Sequence, residues 1–107
     1  MNTIMVDTEK YKLTDLSPHL FWDTRVQDVS WDEHDGFIVE RVLEYGLMKD
    51  WNLIKEAYGL ERIRDVSLKL RSLSDLSLSF LSWLFGLEKE QFRCYILRQS
   101  NQAFWSY

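Results

Sequence analysis

One proline and four glycines in 107 residues leave too few chain-breaking positions for the many reversals of a β-sandwich. The single cysteine, Cys94, cannot pair within the chain. No disulfide framework is therefore expected, and a reducing, cytoplasmic setting fits best. No uncharged apolar run approaches the roughly 18 residues needed to cross a bilayer. The opening MNTIMVDTEKYK lacks a basic stretch followed by an apolar one, so neither a membrane span nor a secretory signal is read.

Catalytic signatures are also missing. The chain has no Gly-rich phosphate loop, no G-x-S-x-G and no H-E-x-x-H. His19 and His34 are the only histidines, and no supporting motif surrounds them or Cys94. His34 reads as a residue near the core edge, and Cys94 as a small buried hydrophobe. Asp32, Glu33, His34 and Asp35 sit together, but consecutive helical residues point around the circumference and do not converge on one ion. They read instead as charge that complements a helix N-terminus. No enzyme activity, cofactor or metal is expected.

What the chain does have is apolar bulk and helical punctuation. Apolar residues make up 46%, including five Trp, five Tyr and six Phe, enough for one core in a chain of this length. That many large aromatics also raises the chance of a partner-facing patch. Net charge is −4, which argues against non-specific nucleic-acid binding. Charge is nonetheless uneven. Residues 1–35 carry eight acids and three bases, whereas residues 62–98 carry seven bases and four acids.

Residues 1–15 are polar and without period, and read as a flexible N-terminal arm ahead of a single domain over 16–107. Ser17-Pro18 suits an N-cap and a first helical position, with Leu20, Phe21 and Trp22 pinned to the core. Ser30 and Glu33 form a capping-box pattern ahead of a helix over about 31–45. Its stripe is Trp31, His34, Ile38, Val42 and Tyr45, and Gly46 ends it. Arg41 reads as structural, its stem packed on aromatics and its charge paired with an acid from a neighbouring helix.

A second helix spans about 49–58, with Trp51, Ile54 and Tyr58 inward and Gly59 at its end. A third spans about 60–72, with Leu60, Ile63, Val66 and Leu70 inward. Ser74 caps a fourth over about 75–85, closed by Gly86. The alternation Leu76-Ser77-Leu78-Ser79-Phe80 could suit a strand. The Ser and Gly punctuation favours a helix with Leu76, Phe80, Trp83, Leu84 and Leu87 inward. A last short helix covers about 88–98 and buries Phe92 and Tyr95. The expected fold is all-α, a compact bundle of about five short helices.

Two functional leads follow. The second and third helices, joined at Tyr58-Gly59-Leu60, have the form of a helix-turn-helix. Its third-helix Arg62, Arg64, Lys69 and Arg71 would be available to DNA. An ordinary αα-corner with a solvated basic face is the competing reading. The second lead is the tail, where Phe104, Trp105 and Tyr107 either dock back on the domain or anchor a protein partner.

Four segments carry a resemblance. They are Leu16-Ser17-Pro18-His19-Leu20-Phe21-Trp22-Asp23, Phe37-Ile38-Val39-Glu40-Arg41-Val42-Leu43-Glu44-Tyr45-Gly46, Tyr58-Gly59-Leu60-Glu61-Arg62-Ile63-Arg64 and Glu90-Gln91-Phe92-Arg93-Cys94-Tyr95. Together they resemble a family of small uncharacterised bacterial proteins, mostly from Bacteroidetes, with PHLFWD and ERVLEYG strings. Members are often encoded beside a nucleotidyltransferase of the AbiEii/AbiGii toxin type. The resemblance implies the antitoxin or accessory half of a toxin–antitoxin pair, a role that genetic neighbourhood suggests and fold does not define.

Overall fold

The computed structural model describes residues 6–97, and every regular element among them is helical. Four α-helices follow one another: α1 (Asp35–Tyr45), α2 (Met48–Tyr58), α3 (Leu60–Lys69) and α4 (Asp75–Phe85). Short 3-10 turns precede them at Leu13–Asp15, Pro18–Phe21 and Val26–Asp28. A further 3-10 turn, Lys89–Gln91, leads into helical residues 93–97. The chain is thus the all-α bundle that the sequence predicts. The expected last helix is divided, with a 3-10 turn before it.

The start of α1 differs from the expected capping box. Ser30 Oγ does accept the Glu33 N–H at 3.4 Å, but the return bond comes from His34, whose Nδ1 accepts the Ser30 N–H at 2.9 Å. Residues 31–34 therefore form turns, and the regular helix begins at Asp35. Trp31 precedes the helix and is buried. Its indole N–H donates to the Tyr11 carbonyl at 3.1 Å, and its ring meets Tyr58 edge-on at 5.4 Å. The Tyr58 hydroxyl donates to the Trp31 carbonyl at 2.5 Å. Burial pushes the Tyr58 phenol well above its ordinary pKa, against the opposing charge of Arg62.

Residues 6–15 of the expected arm lie against this body. Val6 is buried, and its N–H reaches Asp32 Oδ1 at 3.1 Å. Tyr11 and Leu13 pack on the core.

Pro18 opens its 3-10 turn as expected, but Ser17 does not cap it. Its backbone N–H and its hydroxyl both go to Asp50, on the first turn of α2. Within that turn Leu20 and Phe21 are buried, whereas Trp22, expected on the core, is 72% exposed.

Two apolar clusters result. The larger gathers Leu16, Leu20, Phe21, Trp31, Ile38, Val39, Val42, Ile54 and Ile63 beneath α1, α2 and α3. The smaller joins Leu73, Leu78, Leu81, Phe92 and Cys94. Leu43, Leu70 and Phe85 pack on both and make the clusters continuous. Truncating a fully buried member such as Ile38 or Leu81 to Ala costs about 2–5 kcal/mol, the range for a large-to-small change in a close-packed core.

Two glycines set the corners. Gly46 ends α1 in extended backbone rather than in the left-handed form. Its requirement is proximity, because a Cβ there would sit 2.6 Å from the Val42 carbonyl oxygen. Gly59 is the single residue between α2 and α3 and has φ +84°, a region that side chains with a Cβ rarely occupy.

Candidate interaction surface

The orientation of α4 is set by α1. Glu44 accepts from the Ser74 N–H at 3.0 Å and from the Ser74 hydroxyl at 2.7 Å. It also accepts from the Ser77 hydroxyl at 2.5 Å. Ser74 Oγ in turn accepts the Ser77 N–H at 3.2 Å, the N-cap bond that the sequence predicts. These contacts turn Ser77 toward α1, and the buried face becomes Ser77, Leu78 and Leu81.

This corrects the expected inward face. Leu76 is 82% exposed, Trp83 is 77% exposed, and Phe80 is also exposed, while Leu84 and Leu87 are half-buried. The physical reason is that α4 is apolar nearly all round. After Asp75 its sequence Leu-Ser-Leu-Ser-Phe-Leu-Ser-Trp-Leu-Phe contains no charge. Both 76/80/83 and 78/81/85 keep helical period, and the Glu44–serine contacts select the second set.

The outward face is therefore a charge-free ridge of Leu76, Ser79, Phe80 and Trp83. Phe80 packs against Trp51 edge-on at 5.4 Å and lies 6.4 Å from Trp83. Beside the ridge runs a groove of about 370 Å³, formed by the end of α1, the start of α2 and α4. Leu43, Leu47, Met48, Trp51, Leu76 and Phe80 line it, and the exposed Leu47 and Met48 extend its apolar rim. Soluble surfaces do carry isolated apolar residues, but a contiguous aromatic and aliphatic strip marks a contact surface. A helix hydrophobic on all sides is characteristic of one enclosed on all sides.

The basic residues predicted for the third helix are divided in their roles, and Arg71 lies beyond the end of α3 at Lys69. Arg62 is committed to the body, its side chain only 12% exposed. Its guanidinium reaches Asp32 at 3.0 Å and Asp35 at 3.2 Å and lies over the Tyr58 ring at 4.7 Å. Arg64 pairs with its neighbour Asp65 at 3.3 Å. Lys69 and Arg71 are exposed. Leu60, expected inward, is exposed, and Ser67 is buried. The α2–α3 connection is one residue long, shorter than the three or four residues of a helix-turn-helix. Phe104, Trp105 and Tyr107 lie outside the described residues.

Arg41 is packed on aromatics as expected, but its acid partner, Asp23, follows the 3-10 turn Pro18–Phe21 instead of lying on a neighbouring helix. It donates to the Leu20 carbonyl at 3.1 Å and to Asp23 at 2.8 Å, with its guanidinium over Phe37 at 4.6 Å and Trp22 at 5.4 Å. The Arg41 hydrogen bond holds the Asp23 carboxyl below its ordinary range, against the upward effect of burial. Glu40 moves the other way, raised first by burial and then by the charge of Glu44.

The two histidines do not share a site. His19 donates through Nε2 to the Tyr45 carbonyl at one end of α1, at 2.7 Å, and His34 stands just before the other end, its ring making no capping bond. An eleven-residue helix separates them by about 16 Å along its axis. His34 is exposed, contrary to its expected place in the α1 stripe, and Cys94 is buried in the smaller cluster. Among the described residues no group of three or more His, Cys, Asp or Glu could hold a metal ion, and no helix is long and apolar enough to cross a membrane.

The fold and its apolar strip define an all-α domain with an uncovered helix face. Residues 16–67, just under half the chain, are similar to a family of unknown function, DUF6922. No curated protein and no solved structure matches the chain. The matched stretch runs from the residue before Ser17 to the buried Ser67, and α4 lies beyond it.

Proposed function

We propose that the chain is a non-enzymatic protein-interaction domain, antitoxin-like or accessory, that works alongside a nucleotidyltransferase-type toxin. The observation that carries the interaction reading is the charge-free ridge Leu76, Phe80 and Trp83 beside an apolar groove. Large side chains of this kind are the usual anchors of protein interfaces. The identity of the toxin partner rests on the resemblance in the PHLFWD and ERVLEYG segments, not on geometry.

Co-expression with a nucleotidyltransferase of the AbiEii/AbiGii type tests this reading. The two proteins are expected to copurify, with Trp105→Ala weakening the complex. A complex indifferent to Trp105→Ala removes the tail from the contact, and failure to copurify removes the toxin partner.

DNA binding through α3 is the rival. The exposed Lys69 and Arg71 favour it, but Arg62 is engaged in internal ion pairs. It predicts an operator gel shift that weakens steeply with salt. The interaction reading predicts no shift even at low salt.

A further inference from the structure

We infer that the polypeptide covering the α4 ridge is a second copy of this chain, paired antiparallel about a two-fold axis near Ser79 and Phe80. The inference rests on the reading of this ridge as an interaction surface and adds what occupies it.

Three observations favour self-pairing. First, the ridge carries no charge after Asp75, so a two-fold axis through it brings no like charges together. A charged face would oppose its own copy, because an isologous contact sets the same patch against itself. Second, the spacing is self-complementary. With the axis between positions 79 and 80, Leu76 falls opposite Trp83 of the second copy and the small Ser79 falls opposite the bulky Phe80. Large residues thus face smaller ones along the whole ridge, the alternation that lets helices interdigitate.

Third, the area is adequate. Aromatic side chains bury roughly 150–250 Å² each. On that scale the exposed parts of Leu76, Phe80, Trp83, Leu47 and Met48 offer on the order of 600 Å² per copy. A standard interface uses about 800 Å² per partner, and flanking polar atoms supply the remainder. Pairing leaves the exposed Trp22, stacked beneath Arg41, for a different protein.

Light scattering on the full chain tests the pairing. At a concentration on the order of 100 µM, where a pair of micromolar affinity is almost fully associated, the expected mass is twice 12.9 kDa. Phe80→Asp brings two uncompensated carboxylates to the axis, and Trp83→Glu buries one against each opposing Leu76, so a loss of at least about 100-fold in dimer affinity is expected for each. Ser79→Cys gives an independent measurement that leaves the core untouched. It is expected to oxidise to a cross-linked dimer, whereas Ser72→Cys, away from the axis, is not.

A wild-type chain that stays at 12.9 kDa overturns the inference, as does a dimer that survives Trp83→Glu with no Ser79→Cys cross-link. A monomer that still captures the nucleotidyltransferase removes the pairing alone. A dimer that captures none removes the toxin partner and leaves the pairing standing.

Discussion

Ser17 gives both its backbone N–H and its hydroxyl to Asp50, each at 2.8 Å and one to each carboxylate oxygen. Asp50 Oδ2 also accepts the Leu47 N–H at 2.8 Å. One buried carboxylate thereby fixes the segment before α1 to the corner between α1 and α2. Lys49 Nζ stands 3.8 Å away with its side chain in solvent.

Burial alone would raise the Asp50 pKa, but the Leu47 N–H, the Ser17 hydroxyl and the Ser17 N–H together hold it below the ordinary value. A carboxylate depressed in the folded state stabilises the fold at every pH above the unfolded pKa, about 3.9. That stabilisation is lost as pH falls through the lower, folded pKa. Asp50→Asn keeps the shape but places an amide NH₂ where an acceptor is needed. It is expected to cost about 1–3 kcal/mol at neutral pH and to flatten the acid limb of the stability curve. Urea titrations of both proteins from neutral to acid pH check this. An equal acid limb in the variant would show that Asp50 is not the linked group.

Arg62 is expected to behave as a structural residue. Arg62→Ala leaves Asp32 and Asp35 without their shared cation. The expected loss is on the order of 1–3 kcal/mol, less than for a fully buried pair because both acids retain access to water. The double change Lys69→Ala with Arg71→Ala should stay within about 0.5 kcal/mol of the parent. Thermal melts of the two variants separate a framework arginine from a surface one, and similar melts would contradict the assignment.

The rotation of α4 can be read in stability as well. Leu81→Ala removes a fully buried side chain and is expected to cost about 2–5 kcal/mol. Trp83→Ala, despite removing a much larger group, should cost under about 0.5 kcal/mol in the dilute chain. Denaturant midpoints decide between the two faces. A larger loss at Trp83 would restore the face that periodicity suggests.

The two glycine corners differ in kind. Gly46→Ala drives a Cβ into the Val42 carbonyl, and relief requires the end of α1 to shift. Gly59→Ala meets open space but must hold φ +84° with ψ 152°, a region that is essentially glycine's alone, at a cost of about 1–3 kcal/mol from backbone strain. Gly59→Asn is expected to lose as much, because ψ 152° lies outside the left-handed helical region that Asn tolerates. Gly46→Asn is expected to be no better than Gly46→Ala. Parallel melts of the four variants check both expectations, and an Asn variant at either corner that recovers stability would contradict them.

Much of the fold was legible because its punctuation is local. Ser74 caps α4, Gly59 separates α2 from α3, and Ile38, Val42, Ile54 and Ile63 occupy the buried positions that their periodicity predicts. What was hidden depends on contacts between distant residues. Asp50 in a first helical turn reads as a charge near a helix dipole, and only folding brings Ser17 to it across 33 positions. The same holds for Glu44 and the two serines of α4. Without that contact, a helix apolar on both sides has no preferred inner face. Periodicity alone therefore places the exposed strip inward, although its lack of charge is plain in the sequence.

The central claim is that another polypeptide covers Leu76, Phe80 and Trp83 when the protein is assembled. Side-chain oxidative footprinting measures this directly. The three residues are expected to react readily in the dilute chain and to be protected at high concentration or in a captured complex, while exposed Trp22 serves as the reference in the concentration series. Equal reactivity of Trp83 in dilute and assembled protein would contradict the account.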